Sequence, residues 1–190
     1  MLITFEGPDG SGKTTQLTLL TEFLAQQGYS LIHVREPGGT RIGEQIRDVL
    51  HAIDNQEMRP RAEVLLYSAA RAQLVEEVIR PALAEGRIVL CDRFYDSTFA
   101  YQGYGHGLDP DALRQLTAFA TGGLKPDLTL YIDIAPEEGL KRRQRNSGIA
   151  RPPSGADCVV LTMARSARPR SNAVITWASP CGMRCTLTSG

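Results

Sequence analysis

The sequence predicts an α/β fold of three layers, in which helices cover both faces of a parallel β-sheet. Short apolar runs alternate with longer segments of helical periodicity over residues 1–148 of the 190. Hydrophobic residues make up 42% of the chain and charged residues 22%, a mixture typical of a globular protein with its own core. We therefore expect one domain over residues 1–148, followed by a tail.

The first four predicted elements are two strand–helix pairs. Leu2–Glu6 is a short apolar run followed by glycines, which is typical of a buried strand. Thr14–Gln27 carries leucines at helical spacing, and Gly28 can end that helix. Leu31–Arg35 predicts a second strand. The short helix after it has its apolar residues at i, i+4, i+7 and i+8, namely Ile42, Ile46, Val49 and Leu50.

The remaining elements repeat this alternation. Ala62–Ile79 predicts a longer helix, which Pro81 is expected to kink or restart. Its expected buried face consists of Val64, Leu65, Ala69, Ala72 and Val75. The other predicted elements are a strand at Arg87–Cys91, a helix at Ala112–Thr121 capped by Asp109 and ended by Gly122-Gly123, a strand at Leu128–Ile134, and a helix at Pro136–Arg145.

The composition excludes some classes of protein. Lys and Arg number 21 and Asp and Glu 21, so binding of nucleic acid through bulk positive charge is excluded. The apolar runs are too short to span a bilayer, and the N-terminus lacks the pattern of a signal peptide. The cysteines show no zinc spacing, which favours free thiols in a cytoplasmic protein: Cys91, Cys158, Cys181 and Cys185.

A glycine-rich loop between the first strand and the first helix fits the pattern GxxxxGK[ST]. Its residues are Gly7, Pro8, Asp9, Gly10, Ser11, Gly12, Lys13 and Thr14. In such a loop the backbone N–H groups and the helix N-terminus hold phosphate, Lys13 reaches the β- and γ-phosphates, and the Thr14 hydroxyl ligates Mg²⁺. The flanking strand and helix disfavour a chance match, so the sequence predicts ATP-type nucleotide binding with Mg²⁺.

The loop alone does not identify the phosphoryl acceptor, because GTPases, helicases and kinases share it. The chain has no NKxD motif of the kind that Ras-like GTPases carry, and it is short for a motor or a helicase. A small kinase fits the length best.

Further segments, in chain order, resemble one family. They are Glu36-Pro37-Gly38-Gly39-Thr40, Tyr67 with Arg71 one helical turn later, Asp92-Arg93, Ser97–Gly103, and Pro126–Asp133. Together with the loop they closely resemble bacterial thymidylate kinases, from Met1 to about Gly148. The resemblance implies the P-loop NTPase fold and transfer of the ATP γ-phosphoryl group to dTMP, giving dTDP for dTTP synthesis. It also implies ATP and dTMP as partners, no nucleic acid or membrane partner, and a homodimer.

The resemblance further implies residues that bind the nucleoside of dTMP. In the family, the aromatic residue at Tyr67 stacks on thymine and the arginine at Arg71 hydrogen-bonds its edge. Ser97 and Gln102 match positions near the base, and Tyr101 matches one near the deoxyribose. Helix spacing by itself favours a plainer interpretation, in which Tyr67 is a core aromatic and Arg71 a solvated charge.

Three more residues match family positions at the acceptor phosphate, and a fourth is a candidate from its place in the fold. Arg47 and Arg93 match arginines that hold it, and Asp9 matches an acid near it; Glu36 ends a strand, where ligands of parallel sheets gather. The plainer alternatives are a turn residue for Asp9 and a solvated helix charge for Arg47.

The catalytic set implied by the resemblance is Lys13, Asp9, Arg93 and a lid arginine. The loop holds no arginine between Gly7 and Lys13, which is similar to the subgroup whose arginine comes from a mobile lid. A basic run, Lys141–Arg145, lies in the predicted lid at about residues 136–148, and we choose Arg142 from it. A solvated helix face is the alternative.

Residues 149–190 differ in composition from the rest. They hold five Arg and one acid, whereas residues 1–148 hold 16 Lys and Arg and 20 Asp and Glu. Strand signals are weak there, and the family's acidic–arginine segment, long helix, fifth strand and last helix are not recognisable. We expect the C-terminal strand and helices to be missing or replaced by an anomalous, frameshifted tail. A divergent genuine terminus is the alternative, with Val159–Met163 or Ala173–Trp177 as the fifth strand.

Two competing functions stay open from the sequence. One is another P-loop nucleoside or nucleotide kinase, and the other is a nucleotide-binding remnant without turnover, because of the unusual C-terminus.

Overall fold

The computed structural model describes residues 1–146 and three later strands. The strands are β1 (Leu2–Glu6), β2 (Leu31–Arg35), β3 (Ile88–Asp92), β4 (Leu128–Asp133), β5 (Val160–Arg165), β6 (Val174–Ala178) and β7 (Arg184–Thr188). The helices are α1 (Lys13–Gln26), α2 (Arg41–His51), α3 (Pro60–Leu74), α4 (Arg80–Ala84), α5 (Tyr95–Thr98), α6 (Pro110–Thr121) and α7 (Pro136–Asn146). Two π-helical segments, Val75–Ile79 and Phe99–Gly105, continue α3 and α5.

The sheet has the order β2-β3-β1-β4-β5, and its first four strands are parallel. This arrangement confirms the predicted α/β fold with a parallel sheet. Because β1 lies between β3 and β4, the carboxyl ends of these three strands meet at one edge of the sheet, where ligands of such sheets bind.

Two apolar cores cover the two faces of the sheet. On β1, Ile3 and Phe5 point to one face, where they cluster with the buried leucines of α1. Leu2 points to the other face and packs with Leu74 of α3 and Val75 of the following π-helical segment. Successive side chains of a strand point to opposite faces, so β1 contributes to both cores and is the centre of three layers.

The long helix predicted at Ala62–Ile79 begins at Pro60 and changes form near its end. Before Pro81 the chain makes a π-helical turn, in which the N–H of Arg80 donates to the carbonyl of Val75. Pro81 cannot donate a backbone hydrogen bond, and the wider turn accommodates it before α4 continues. The predicted restart at Pro81 therefore takes the form of a π-bulge.

The predicted buried face of this helix was partly wrong. Leu65 is 57% exposed and Ala69 is also exposed. The residues buried on α3 include Val64, Leu74 and two polar residues, Ser68 and Arg71. An assignment that counted only apolar residues missed the true stripe, because part of it lines the site described below.

Two regions gained more regular structure than the sequence indicated. The segment from Tyr95 to Gly105 is helical, although no helix was predicted there. In the tail, β5 pairs antiparallel with β4, and β6 pairs with β7 in a separate sheet. The predicted fifth-strand alternative at Val159–Met163 therefore overlaps an observed strand, whereas the family's strand there was expected to follow a long helix.

Candidate active site

The glycine-rich loop joins β1 to α1 and curls around the ammonium group of Lys13. This Nζ donates to the carbonyls of Gly7 and Pro8 at 2.9 and 2.8 Å. Gly12 adopts φ 93°, a left-handed conformation that lets the loop turn directly into α1. Burial is the main reason that the pKa of Lys13 lies below its ordinary value. A lysine held in this position is desolvated and available to phosphate oxygens.

The loop also touches the start of α7. Gly10 has φ 79°, and a Cβ on it would lie 2.2 Å from the carbonyl oxygen of Gly139. A Cβ on Gly139 would lie 2.6 Å from the carbonyl oxygen of Asp9. Glycines at both positions therefore allow backbone to pack on backbone, which places the predicted lid helix directly on the phosphate loop.

Thr14, the expected Mg²⁺ ligand, lies next to an acid at the end of β3. Its hydroxyl donates to Oδ2 of Asp92 at 3.0 Å. A loop hydroxyl and a strand-end aspartate are the protein groups that hold Mg²⁺ in P-loop enzymes. Sequence analysis did not assign Asp92 to the metal site, although its place at the end of a strand beside β1 was a usable signal. Within the described part of the chain, no group of three or more His, Cys, Asp or Glu side chains could hold a metal.

Arg93 follows Asp92 and links the loop to the acceptor side. Its Nη2 donates to the carboxylate of Asp9, and its Nη1 donates to the Ser97 hydroxyl at 2.9 Å. Its guanidinium also lies 5.6 Å from the centre of the Tyr101 ring. Among the described residues, Arg93 is the one non-glycine with positive φ, at 69°. Such a conformation costs an ordinary residue about 1–2 kcal/mol, so neighbouring groups must hold it.

Arg71 and Glu36 form a buried ion pair at the other end of the acceptor side. Arg71 is 2% exposed, and its Nε donates to Oε2 of Glu36 at 2.7 Å. Its Nη2 donates to the Thr98 hydroxyl at 3.0 Å. Desolvation raises the pKa of Glu36 to about 7, although Arg71 opposes this shift. The plainer interpretation of Arg71 as a solvated charge is therefore wrong.

Two atoms of this pair lack hydrogen-bond partners among the described residues. They are Oε1 of Glu36 and Nη1 of Arg71, both fully buried. An unpaired buried polar atom costs about 1–3 kcal/mol, so a ligand that supplied the missing partners would bind favourably here.

Three other predicted residues lie around this pair. Gln102 is buried, and its Nε2 donates to Oε1 of Glu63 at 2.9 Å. The pKa of Tyr67 is raised, chiefly by its partial burial. Arg47 donates to the carbonyl of Pro37 at 2.8 Å, so it is anchored rather than free in solvent. Glu63 was missed by the sequence analysis because nothing local distinguishes it from a solvated helix acid.

The structure separates the two neighbouring hydroxyls of α5. Ser97, which stays a predicted residue near the base, donates to Oε2 of Glu6 at 2.6 Å and accepts from Arg93. Thr98, which was not assigned to the site, is the hydroxyl in contact with Arg71. The residue type alone could not distinguish them, because both are small hydroxyl residues in one short helix.

Arg142, the predicted lid arginine, lies on α7 and pairs within that helix. Its Nε donates to Oε1 of Glu138 at 2.9 Å. The side chains of Arg143 and Arg145 lie outside the description.

None of the described helices has the length and apolar character needed to cross a membrane.

The chain resembles known thymidylate kinases over most of its length. The family model described as thymidylate kinase matches residues 5–154. Thymidylate kinases of Roseiflexus sp. and Exiguobacterium sp. are 57% and 59% identical over 157 and 142 residues. These segments are 83% and 75% of this chain and 70% and 67% of the relatives. The chain therefore spans about two thirds of the length of the curated relatives it matches.

A solved structure gives the same result at the level of the fold. The crystal structure of thymidylate kinase from Ehrlichia chaffeensis matches with a TM-score of 0.67 and 41% identity. The match covers 77% of this chain and 83% of that one. The family's activity is ATP-dependent phosphorylation of dTMP, and its P-loop fold agrees with the sheet and loop described above. On these grounds the chain belongs to the thymidylate kinase family.

Proposed function

We propose that this chain transfers the γ-phosphoryl group of ATP to dTMP, giving dTDP for dTTP synthesis. The observation that carries the proposal is the contact between Asp9 of the phosphate loop and Arg93 at the end of β3. This contact joins the loop that we assign to the donor phosphates to Arg93, which we assign to the acceptor phosphate. Two phosphates held on either side of this contact are close enough for direct transfer.

On the donor side, Lys13 and the loop N–H groups bind the β- and γ-phosphates. Thr14 and Asp92 fit Mg²⁺, because both offer hard oxygen ligands side by side. When bound, the metal neutralises charge on the phosphoryl oxygens. Lys13 exchanges its two carbonyl contacts for phosphate oxygens and holds the transferring group in place.

On the acceptor side, we assign the nucleoside of dTMP to Tyr67, Arg71, Tyr101 and Gln102. The unpaired Nη1 of Arg71 can donate to a keto oxygen of thymine, whereas an amino group at the same place would leave it unpaired. Thr98 and Glu36 hold the guanidinium for this contact. Arg93 and Arg47 would hold the acceptor phosphate, with Asp9 setting the orientation of Arg93. Arg142 of α7 would supply further positive charge during transfer.

We infer a homodimer through the outer face of α2 and α3. Ile42 and Val49 of α2 are 39% and 44% exposed, and Leu65 of α3 is more exposed still. These two helices pack against each other, so the apolar residues form one surface. Analytical ultracentrifugation of the parent chain and of Leu65→Glu tests this inference. It is contradicted if the parent and the variant both sediment as monomers.

The boundary of the domain at residue 148 and a cytoplasmic location also stay proposals. The pairing of β5 with β4 favours the opposite arrangement, in which the tail contributes a strand to the sheet. Limited proteolysis tests the boundary, because rapid cleavage at Arg151 with a surviving N-terminal fragment that ends there requires an independent domain. Fractionation of the source cells tests the location.

A remnant that binds nucleotide without turnover is the second candidate, because residues 149–190 differ in composition from the rest of the chain. The deciding experiment measures ADP release with dTMP, dCMP, AMP and GMP as acceptors, beside ATP binding by calorimetry. Release with dTMP alone supports the proposal, and release with another acceptor supports another nucleotide kinase. ATP binding without release supports the remnant. Lys13→Ala serves as the inactive control.

A further inference from the structure

Glu6 has a buried carboxylate that no part of the proposed reaction uses. It ends β1, immediately before the phosphate loop, and is 4% exposed. Its Oε1 accepts from the N–H of Phe94 at 2.7 Å, and its Oε2 accepts from the Ser97 hydroxyl at 2.6 Å. A buried acid with both oxygens engaged by one short segment organises that segment.

The backbone contacts enclose Arg93. The N–H of Arg93 donates to the carbonyl of Phe5 at 3.0 Å, and the next N–H, that of Phe94, donates to Glu6. Two consecutive residues of β1 therefore fix the two peptide groups on either side of Arg93. The left-handed φ of 69° lies between these two anchors.

The side-chain contacts lead to the same residue. Ser97 donates its hydrogen to Glu6, which leaves its oxygen to accept from Nη1 of Arg93. The other end of the guanidinium reaches Asp9 in the phosphate loop. Without the carboxylate, the Ser97 hydrogen has no fixed acceptor, and the direction of its lone pairs is no longer set.

We propose that Glu6 is a positioning residue for the acceptor phosphate, which holds Arg93 in its left-handed turn and aims its guanidinium through Ser97. Glu6 does this without contacting either nucleotide. The inference rests on the proposed kinase function only for the identity of the phosphate. Burial raises the pKa of Glu6, and its two hydrogen bonds oppose this change, so they favour the ionised form that the role requires.

The test compares Glu6→Ala and the isosteric Glu6→Gln with Thr4→Val. Thr4 lies two residues earlier on the same face of β1 and is also buried. Its hydroxyl forms a hydrogen bond with the hydroxyl of Thr129, away from the turn at Arg93. Glu6→Ala is expected to raise the KM for dTMP about tenfold, and Glu6→Gln about threefold. The KM for ATP should change less than the KM for dTMP in both. Thr4→Val should lower the melting temperature and leave both KM values near those of the parent.

A second arm asks whether Glu6 acts through Arg93. In an Arg93→Ala background, Glu6→Gln should add no further increase in the KM for dTMP. An equal further increase, or an equal rise of both KM values in the single variants, overturns the proposal and leaves Glu6 a general stabiliser of the fold.

A structural measurement separates this inference from the proposed function. Hydrogen exchange at the Phe94 amide should accelerate in Glu6→Ala and stay slow in Thr4→Val. If the parent shows no phosphorylation of dTMP, the proposed function fails, whereas unchanged exchange at Phe94 in Glu6→Ala overturns the positioning role. Should Glu6→Ala not fold, the KM values of Glu6→Gln decide.

Discussion

Arg71 and Arg93 are two arginines of the proposed acceptor site, and the structure holds them in opposite ways. Arg71 is buried in a regular helix and paired with Glu36, and one of its nitrogens has no partner among the described residues. Arg93 lies in a strained turn with a side chain 18% exposed, and both ends of its guanidinium are engaged. Burial makes the first site selective, because a wrong ligand leaves polar atoms unpaired. Strain and anchoring give the second a fixed direction, which charge neutralisation during transfer requires.

Removing the strained arginine should have the largest effect. Arg93→Ala is expected to raise the KM for dTMP and to lower kcat by about 10³, because a contact to the acceptor phosphate and positive charge beside the transferring phosphoryl group are both lost. Steady-state kinetics with saturating ATP and dTMP measures this. Arg114→Ala is the matched control, since Arg114 pairs with Asp111 on the surface of α6. A kcat within a few-fold of the parent would remove Arg93 from the reaction.

Removing the buried arginine should act on binding instead. Arg71→Ala is expected to lower the affinity for dTMP by about 10²-fold and to leave the affinity for ATP unchanged, because the contact is with the acceptor base. Arg71→Lys should recover little of this, since an ammonium cannot satisfy Glu36, Thr98 and a base together. Calorimetric titrations with each nucleotide provide the measurement. Equal losses for ATP and dTMP would mean that Arg71 is structural.

The buried pair should also give stability a particular pH dependence. The folded-state pKa of Glu36, about 7, lies above its ordinary value of 4.5, so the native state binds this proton more tightly than the unfolded state. Its contribution is therefore fully present below about pH 4.5 and is lost as the pH rises through about 7, on the order of 3 kcal/mol. Urea unfolding of the parent and of Glu36→Gln between these pH values measures the difference. Parallel stability curves for the two proteins would contradict the assignment.

The smallest expected effects come from the two hydroxyl residues of α5, each of which should be energetically coupled to one of the two arginines. Thr98→Val is expected to raise the KM for dTMP about fivefold, and this effect should vanish in an Arg71→Ala background. Ser97→Ala should behave in the same way with Arg93→Ala. Double-mutant cycles measure the four couplings. Crossed couplings, with Thr98 dependent on Arg93, would show that the two ends of the site are not independent.

Sequence reasoning recovered what depends on local pattern. The glycine-rich loop and the first four strands follow from spacing and apolar runs, so their bounds were predicted within one or two residues. The hydroxyl partners of Arg71 and Arg93 could not be predicted, because no helix was predicted over Tyr95–Gly105 and the sequence therefore did not indicate which way Ser97 and Thr98 point. The role of Glu6 was missed for a related reason, since its partners are about 90 positions away in the chain.

The close backbone contact between Gly10 and Gly139 couples the position of α7 to that of the phosphate loop. A side chain at either glycine would have to push one backbone away from the other. Arg142 lies three residues beyond Gly139 on the same side of the helix. A displacement of the helix at Gly139 would therefore also displace Arg142. The position of Arg142, the proposed lid arginine, therefore depends on the absence of a side chain at both glycines.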